Sequence, residues 1–334
     1  MGTIASDIYF DDHYGKLYEK ADKGIAVIFT HENQYGKVKH QFIKRSIPAD
    51  LLSEEEKLYD IVTPYGYGGP LIVETEGDCK EKLVQSFQEE FSRYCAEEKI
   101  VSEFVRFHPI AENALDFKEI YSPVWDRNTL GTDLKSYEDP VQSEFSKSCR
   151  KSIRQAMNKG ASYRITYQPE SLKAFQEVYY STMKRNEAAD YYYFDDEYFE
   201  NCLRFYQKNI LLIEVLFEDK IIAAGMYFLY NKTIHVHLSG TLTEYLHLSP
   251  AYVLRYALAC WGKEHGYEVI HHGGGRSNAE DDSLFLFKKQ FAKNTKFDFY
   301  VGRKIWMPDK YSEICANNGI SEENAYFPAY RAKR

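Results

Sequence analysis

Apolar positions along this chain switch repeatedly between a period of two and a period near 3.6, which predicts strands alternating with helices. Residues 25–30 and 38–47 read as strands, and 61–70 (IVTPYGYGGP) as a strand running into a turn-rich loop. Residues 78–99 put Leu83, Phe87, Phe91 and Tyr94 or Cys95 on one helical face, and 100–107 is the strand that follows. A second series begins at 140–159, where Phe145, Cys149, Ile153 and Met157 recur every four residues and Gly160 suits a C-cap. Strand 162–168, helices 171–186 and 195–207, and strand 210–217 come next. Strands 220–229 and 233–240 flank Tyr230-Asn231-Lys232, a hairpin pattern. Ser249, Pro250 and Gly266 punctuate a helix, with Ser249 as its cap. A strand-like run, 267–270, then leads into His271-His272-Gly273-Gly274-Gly275-Arg276. These elements define an α/β (α+β) chain whose two halves echo each other. The expected boundary is the irregular stretch 128–139 (NTLGTDLKSYED).

The segment 280–291, EDDSLFLFKKQF, carries the most chemistry. Asp281, Asp282 or Ser283 can accept hydrogen bonds from the free N–H groups of a helix start. Leu284, Phe287, Lys288 and Phe291 then share one face, apolar except for one ammonium. Burying that ammonium unpaired is costly, so Lys288 should meet an anion or snorkel to a wet cleft. The glycine loop just upstream lets backbone approach a ligand closely, and Arg276 adds a charge beside it.

At 334 residues the chain suits two domains, and its 44 % hydrophobic content can build ordinary cores. With 29 Tyr and 21 Phe, large rings should line cores and sites alike. A net charge of −8 argues against a general nucleic-acid binder, and no DNA contact is expected. The six cysteines are scattered without zinc-ligand spacing, so no metal site is expected. The start, MGTIASDIYF, lacks a basic region followed by an apolar core, and the longest apolar runs are too short to span a bilayer. A soluble, cytoplasmic protein without an integral membrane segment is the expectation. Walker, nucleophile-elbow and dinucleotide fingerprints are absent.

The order of a strand ending in Gly-Gly, an acidic loop, Asp-Ser-Leu-aromatic-x-Phe-Lys-x-x-Phe, a strand into Ile-Trp and a Pro-x-x-Tyr helix resembles the C-terminal part of the Fem family (FemABX) of peptidoglycan aminoacyltransferases. The resemblance follows residues 141–311 in order of elements and is most specific around 273–291. It implies two GNAT-like acyl-N-acyltransferase domains, 1–135 and 136–311, with a tail, 312–334, packing on the first. It implies transfer of an amino acid from aminoacyl-tRNA, as donor co-substrate, onto a side-chain amine of a cell-wall precursor, with no bound cofactor. It places Lys288 at the reacting ester as the catalytic residue, and Lys16, within DDHYGKLYE, on the precursor's phosphates. Where the family has a phosphate-binding arginine, this chain has Tyr191-Tyr192-Tyr193, which are neutral, so the nucleotide-linked acceptor is in question.

Candidate substrate-binding residues are therefore Lys16, Tyr65, Tyr67, Tyr192, Gly273, Gly274, Gly275, Arg276 and Phe287. Thr63–Pro70 can equally be a strand-end turn. Lys147, Arg150, Lys151, Arg154 and Lys159 form a basic helix face that suits tRNA phosphates or simply solvent. His235 and His237 should share one side of a sheet, as pocket-lining or packed residues. The reading is a Fem-like acyltransferase that moves an aminoacyl or acyl group onto an amine of a cell-envelope, peptidoglycan-type precursor. An acyl-CoA-dependent GNAT N-acyltransferase for a sugar amine or peptide is the alternative, although EYLHLSPAY (244–252) lacks the glycines that normally grip the coenzyme's pyrophosphate. A non-catalytic binding module on a degenerate fold is the alternative of another class.

Overall fold

The computed structural model describes residues 7–53 and 56–332, and the chain divides into two compact units. The first comprises residues up to Asp126 and again from Phe299 onward, and the second is Arg127–Asp298. The chain thus crosses into the second unit before the boundary expected at 135, and returns to the first well ahead of 312.

In the first unit, β1 (Gly24–Asn33) and β2 (Gly36–Ser46) form an antiparallel hairpin, and β3 (Tyr59–Val62) extends it antiparallel to β2. Strand β4 (Leu71–Thr75), hidden in the sequence behind the turn residues before it, also pairs with β2. Gly36 is required where these strands meet, because a Cβ there would sit 2.2 Å from the Glu74 carbonyl oxygen. Strand β5 (Ile100–Arg106) runs parallel to β3. The part of β12 (Thr295–Ile305) that belongs to this unit runs antiparallel to β5, from Val301↔Arg106 to Ile305↔Ser102. The helix Lys80–Glu97 buries Leu83, Val84, Phe87, Phe91 and Cys95 against Val38, Phe42, Ile72 and Val105 of the sheet. The C-terminal segment is tied to this unit through Tyr330, whose hydroxyl lies 2.7 Å from Ser102 Oγ, and through Arg331 on the buried Asp60 carboxylate.

In the second unit the strand order is β6-β11-β10-β9-β8-β7. Strand β6 (Val124–Asp133) occupies much of the stretch expected to be an irregular linker; only the residues after Asp133 depart from strand. Its Asn, Thr, Gly and Asp content reads as a turn, but pairing to β11 (Val269–Gly274) satisfies its backbone and overrides that propensity. Strand β11 runs parallel to β10 (Thr233–Thr241), and β9 (Lys220–Tyr230), β8 (Ile210–Phe217) and β7 (Ser162–Tyr167) continue antiparallel. The crossover helix Pro250–Glu264 covers one face with Val253, Leu254, Ala257 and Leu258, and the helix Lys147–Asn158 packs Cys149 and Ile153 beside it. The helices Lys173–Arg185 and Asp196–Tyr206 lie on the other face, where Gly240 allows the Val178 backbone to approach to within 2.5 Å of a would-be Cβ.

Two expectations change in detail. The helix expected over 140–159 is broken into Pro140–Glu144 and Lys147–Asn158. Phe145 is extended, and Ser146 starts the second helix by accepting the Cys149 N–H at 3.1 Å. Ser249 does not cap through its side chain; it sits in the left-handed region at φ 51°. Among the described residues no helix is long and apolar enough to cross a membrane.

Candidate functional site

Strand β11 ends at Gly274, and the chain then turns into the helix Ser283–Lys289. Of the three capping candidates the structure uses Asp282. Its Oδ1 accepts the Phe285 N–H at 2.8 Å, and its Oδ2 accepts the N–H groups of Arg276 and Ser277, both at 2.9 Å. These bonds, led by that from Phe285, hold its carboxyl below the usual range. One carboxylate thus joins the glycine loop to the helix start. Gly275 makes room for it: a Cβ there would lie 2.6 Å from Asp282 Oδ1 and 3.0 Å from Phe285 Cβ.

The helix then sets Phe287 and Phe291 against Tyr252, with Tyr252 stacked on Phe287 at 5.8 Å and edge-on to Phe291 at 5.4 Å. Lys288, next on that face, reaches back along the helix and donates from Nζ to the Gly274 carbonyl at 2.6 Å. Among the described residues it pairs with no anion, and its amine does not snorkel outward. Instead, desolvation of the amine, reinforced by the nearby Arg255 and Arg127 charges and opposed by Asp282, pulls its pKa from 10.5 down to about 7. The lysine residue as a whole is half-buried, and its nitrogen is the enclosed end.

The surroundings of Lys288 include residues that the sequence reading missed. Arg255 on the crossover helix is 4 % exposed; it donates to the Tyr227 hydroxyl at 3.1 Å and, more distantly, to Ser239 Oγ at 3.5 Å. Its Nε is buried without a hydrogen-bond partner among the described residues. Arg127 donates to the Gly275 carbonyl at 2.9 Å. His272 lies buried with Nε2 2.8 Å from Thr132 Oγ1, and Thr132 donates onward to the Phe291 carbonyl. Because Thr132 spends its proton on that carbonyl, the network assigns the His272 proton to Nε2. Burial, then the charges of Arg255 and Lys288, push His272 well below its ordinary pKa. The signal that could have found Arg255 is the one that singled out Lys288: a lone cation among apolar helix positions, here Val253, Leu254, Ala257 and Leu258.

The structure gathers Gly273, Gly274, Gly275, Arg276, Phe287 and Lys288 at one place in the second unit. Arg276 is exposed there, and its backbone N–H is held by Asp282. Tyr192 belongs to the same unit: it is 39 % exposed, and its carbonyl accepts from Tyr179 at 2.7 Å. In the first unit Lys16 is exposed on the short turn Gly15–Tyr18. Tyr65 accepts from the Tyr14 hydroxyl at its carbonyl, 2.8 Å, and Tyr67 packs edge-on to Tyr9 at 5.4 Å and Phe299 at 5.3 Å. Both tyrosines are half-buried in an aromatic cluster. An open 540 Å³ hollow in that unit is lined by Lys20, Lys23, Lys44 and Tyr59, not by any of the candidate residues.

His235 and His237 do lie on one side of the sheet. His237 sits at a bulge of β10, 2.5 Å from the Tyr198 hydroxyl and 4.4 Å from the Phe228 ring, while Phe228 pairs with His235 in the ladder. Burial, with His235 adding to it, pushes His237 down to about 3, so it is neutral near pH 7 and serves as a packed residue. On the basic helix Lys147, Lys151, Arg154 and Lys159 are exposed, whereas Arg150 is occupied with the carbonyls of Gln142 and Phe145.

Residues 147–281 match the acetyltransferase (GNAT) domain family, a match that stops just short of Lys288. A 121-residue stretch is 26 % identical to UDP-N-acetylmuramoylpentapeptide-lysine N(6)-alanyltransferase of Weissella viridescens and covers 35 % of each protein, so the chain matches only about a third of that relative's length. The solved structure of FemX is similar with a TM-score of 0.66 at 14 % identity, over 92 % of this chain and 94 % of that one. L-PGS of Bacillus licheniformis is similar at 0.56 and 13 %, over 94 % and 98 %. At these identities the structural likeness establishes the fold.

Proposed function

We propose that this FemABX-like, GNAT-fold protein is an acyltransferase that moves an aminoacyl group from an activated ester onto an amine of a cell-envelope precursor. The observation that carries the reading is the desolvated Lys288 nitrogen beside the Gly273–Gly275 turn. Attack of an amine on an ester needs proximity, a free nucleophile and support for the developing oxyanion, and it needs neither a catalytic triad nor a metal. A lysine nitrogen fixed at a strand end supplies that support. The name of the Weissella viridescens relative, an alanyltransferase acting on a muramoylpentapeptide lysine, favours an amino acid as the transferred group and a peptidoglycan-type acceptor. Aminoacyl-tRNA is the donor in this reading, and the exposed Lys147, Lys151 and Arg154 offer its phosphates a landing face. The reaction then belongs in the cytoplasm. Tyr192, in the same unit as Lys288, is the proposed contact for the acceptor, and Lys16, Tyr65 and Tyr67 are the first unit's own candidates.

The GNAT match over 147–281 favours a second reading, an acyl-CoA donor. Against it stands the entry to the crossover helix, where Ser249 and Pro250 occupy the positions at which glycines would open backbone N–H groups to a pyrophosphate. The two readings separate by thermal denaturation with charged tRNA, acetyl-CoA and a nucleotide-linked muropeptide in turn. A ligand at a hundred times its Kd stabilises the protein by about 2.7 kcal/mol, a readily measured shift. Stabilisation by charged tRNA and muropeptide, followed by mass gain on the acceptor amine, is the expected result. Stabilisation by acetyl-CoA alone would install the second reading.

A further inference from the structure

Strand β11 carries one residue more than its partner just before the glycine loop. His271 pairs with Gly131 of β6 and Gly273 with Leu130, so His272 is the extra residue of a bulge, a device that re-aims side chains. His272 Nε2 meets Thr132 Oγ1 at 2.8 Å, and Thr132 donates to the Phe291 carbonyl, also at 2.8 Å. Both side chains are buried, and His272 Nδ1 has no hydrogen-bond partner among the described residues. Filling this space needs no polar pair, because two buried partners replaced together by apolar groups of the same shape cost little. The pair leads to Phe291, which lies on the Lys288 face one turn further on. The Phe291 N–H bonds the Lys288 carbonyl at 3.0 Å, and its ring packs on Phe287 at 5.0 Å and Tyr252 at 5.4 Å. Two residues beyond His272, the Gly274 carbonyl receives the Lys288 nitrogen at 2.6 Å. Strand β11 therefore holds the lysine twice, by main chain through Thr132 and Phe291, and by side chain through Gly274.

We propose that Thr132, oriented by His272, is a positioning residue that fixes the Lys288 nitrogen at the Gly274 carbonyl for acyl transfer. The inference rests on the acyl-transfer reading above. A threonine hydroxyl has one proton, and with His272 Nε2–H donating to its oxygen that proton is directed at Phe291. The carbonyl it holds lies just past the end of the helix Ser283–Lys289, where the last carbonyls lack partners within the helix. At the other end Asp282 ties the helix start to the N–H groups of Arg276 and Ser277. With both ends held, the Lys288 stem leaves a restrained main chain. Restraint of that kind keeps a group within the fraction of an ångström that transfer demands.

Thr132→Val keeps the side chain's shape and removes its hydroxyl, whereas Thr132→Ser keeps the hydroxyl. The intact proteins meet a trace of an amine-acylating anhydride at about pH 10, near the ordinary titration point of a lysine. Labelling of Lys288 relative to Lys289 is read by fragmentation mass spectrometry. In the wild type the enclosed Lys288 nitrogen labels far less than exposed Lys289. Thr132→Val is expected to raise that ratio several-fold and to lower kcat about tenfold to a hundredfold with KM unchanged. Thr132→Ser keeps the wild-type ratio and rate. Ser146→Ala, which loses a helix cap and a 2.6 Å bond to Gln290, is the control: its melting temperature falls while ratio and turnover stay put. If Thr132→Val does not melt cooperatively, His272→Phe removes the donor behind the threonine and is read in the same way. An unmoved ratio in a folded variant overturns the proposal, whatever happens to turnover. A Thr132→Ser or Ser146→Ala ratio as high as that of Thr132→Val overturns it too. Labelling needs no substrate, so a raised ratio with turnover absent or unchanged supports the placement of Lys288 and sinks the acyl-transfer reading instead.

Discussion

Replacing Lys288 with Met removes the enclosed nitrogen and leaves a side chain of similar bulk among Phe287, Phe291 and Leu284. In the folded chain this lysine titrates at about 7 against an ordinary 10.5, a depression caused first by burial. Below pH 7 both folded and unfolded states carry the proton, and the folded state bears the full cost of the enclosed charge. Between pH 7 and 10.5 the unfolded lysine is protonated and the folded one is not, so stability rises with pH through that window. At 1.36 kcal/mol per unit the full depression corresponds to an upper limit of about 4–5 kcal/mol, and loss of the bond to Gly274 offsets about 1 kcal/mol of it. Lys288→Met should therefore be more stable than wild type at pH 6, by about 2–4 kcal/mol, with the gap closing toward pH 10. Urea denaturation at pH 6, 7.5 and 9 reads this, with Lys289→Met, an exposed neighbour, as the flat control. A Met variant less stable than wild type at pH 6, or a gap independent of pH, would refute the reasoning and make Lys288 a structural lysine.

Gly275→Ala drives a Cβ into the Asp282 carboxylate and should lower turnover about tenfold with a stability loss of about 1–2 kcal/mol, read by initial rates and thermal melting. Unaltered rates would show that the loop does not position the reacting groups. Asp282→Ala should cost about 1 kcal/mol of stability through the lost cap, and should also lower the Lys288 midpoint further, because Asp282 raises it. A rise in that midpoint would contradict the charge assignment. Lys16→Ala should leave the melting temperature unchanged, since the residue is exposed, while raising KM for a phosphate-bearing acceptor; an unchanged KM removes Lys16 from the site.

What could be read from sequence follows from which physical signals are local. The Phe-Lys-x-x-Phe face was legible because helical period and composition point the same way, and Asp282 was among only three possible caps. Strand β6 was not legible, since its turn-like composition is overruled by pairing with a strand that lies far along the chain. The break at Phe145–Ser146 was masked by an apolar repeat that runs on through it, although Ser146 is a good cap. Arg255 escaped because one charged residue in YVLRYALACW looks like a snorkelling side chain until the sheet above it is known. The proximity of Arg255, Arg127 and His272 to Lys288 is a product of strand order, which sequence spacing does not encode.

The central claim is that the Lys288 nitrogen takes part in acyl transfer, and the turnover of Lys288→Met measured beside Lys289→Met tests it most directly. Removing one group that supports an oxyanion costs about a hundredfold to a thousandfold in turnover. Lys289 points about 100° away around the helix, so its replacement should leave turnover at the wild-type value. Such a loss confined to Lys288→Met, in a protein at least as stable as wild type at neutral pH, is the predicted result. Equal turnover in wild type, Lys288→Met and Lys289→Met would contradict the account.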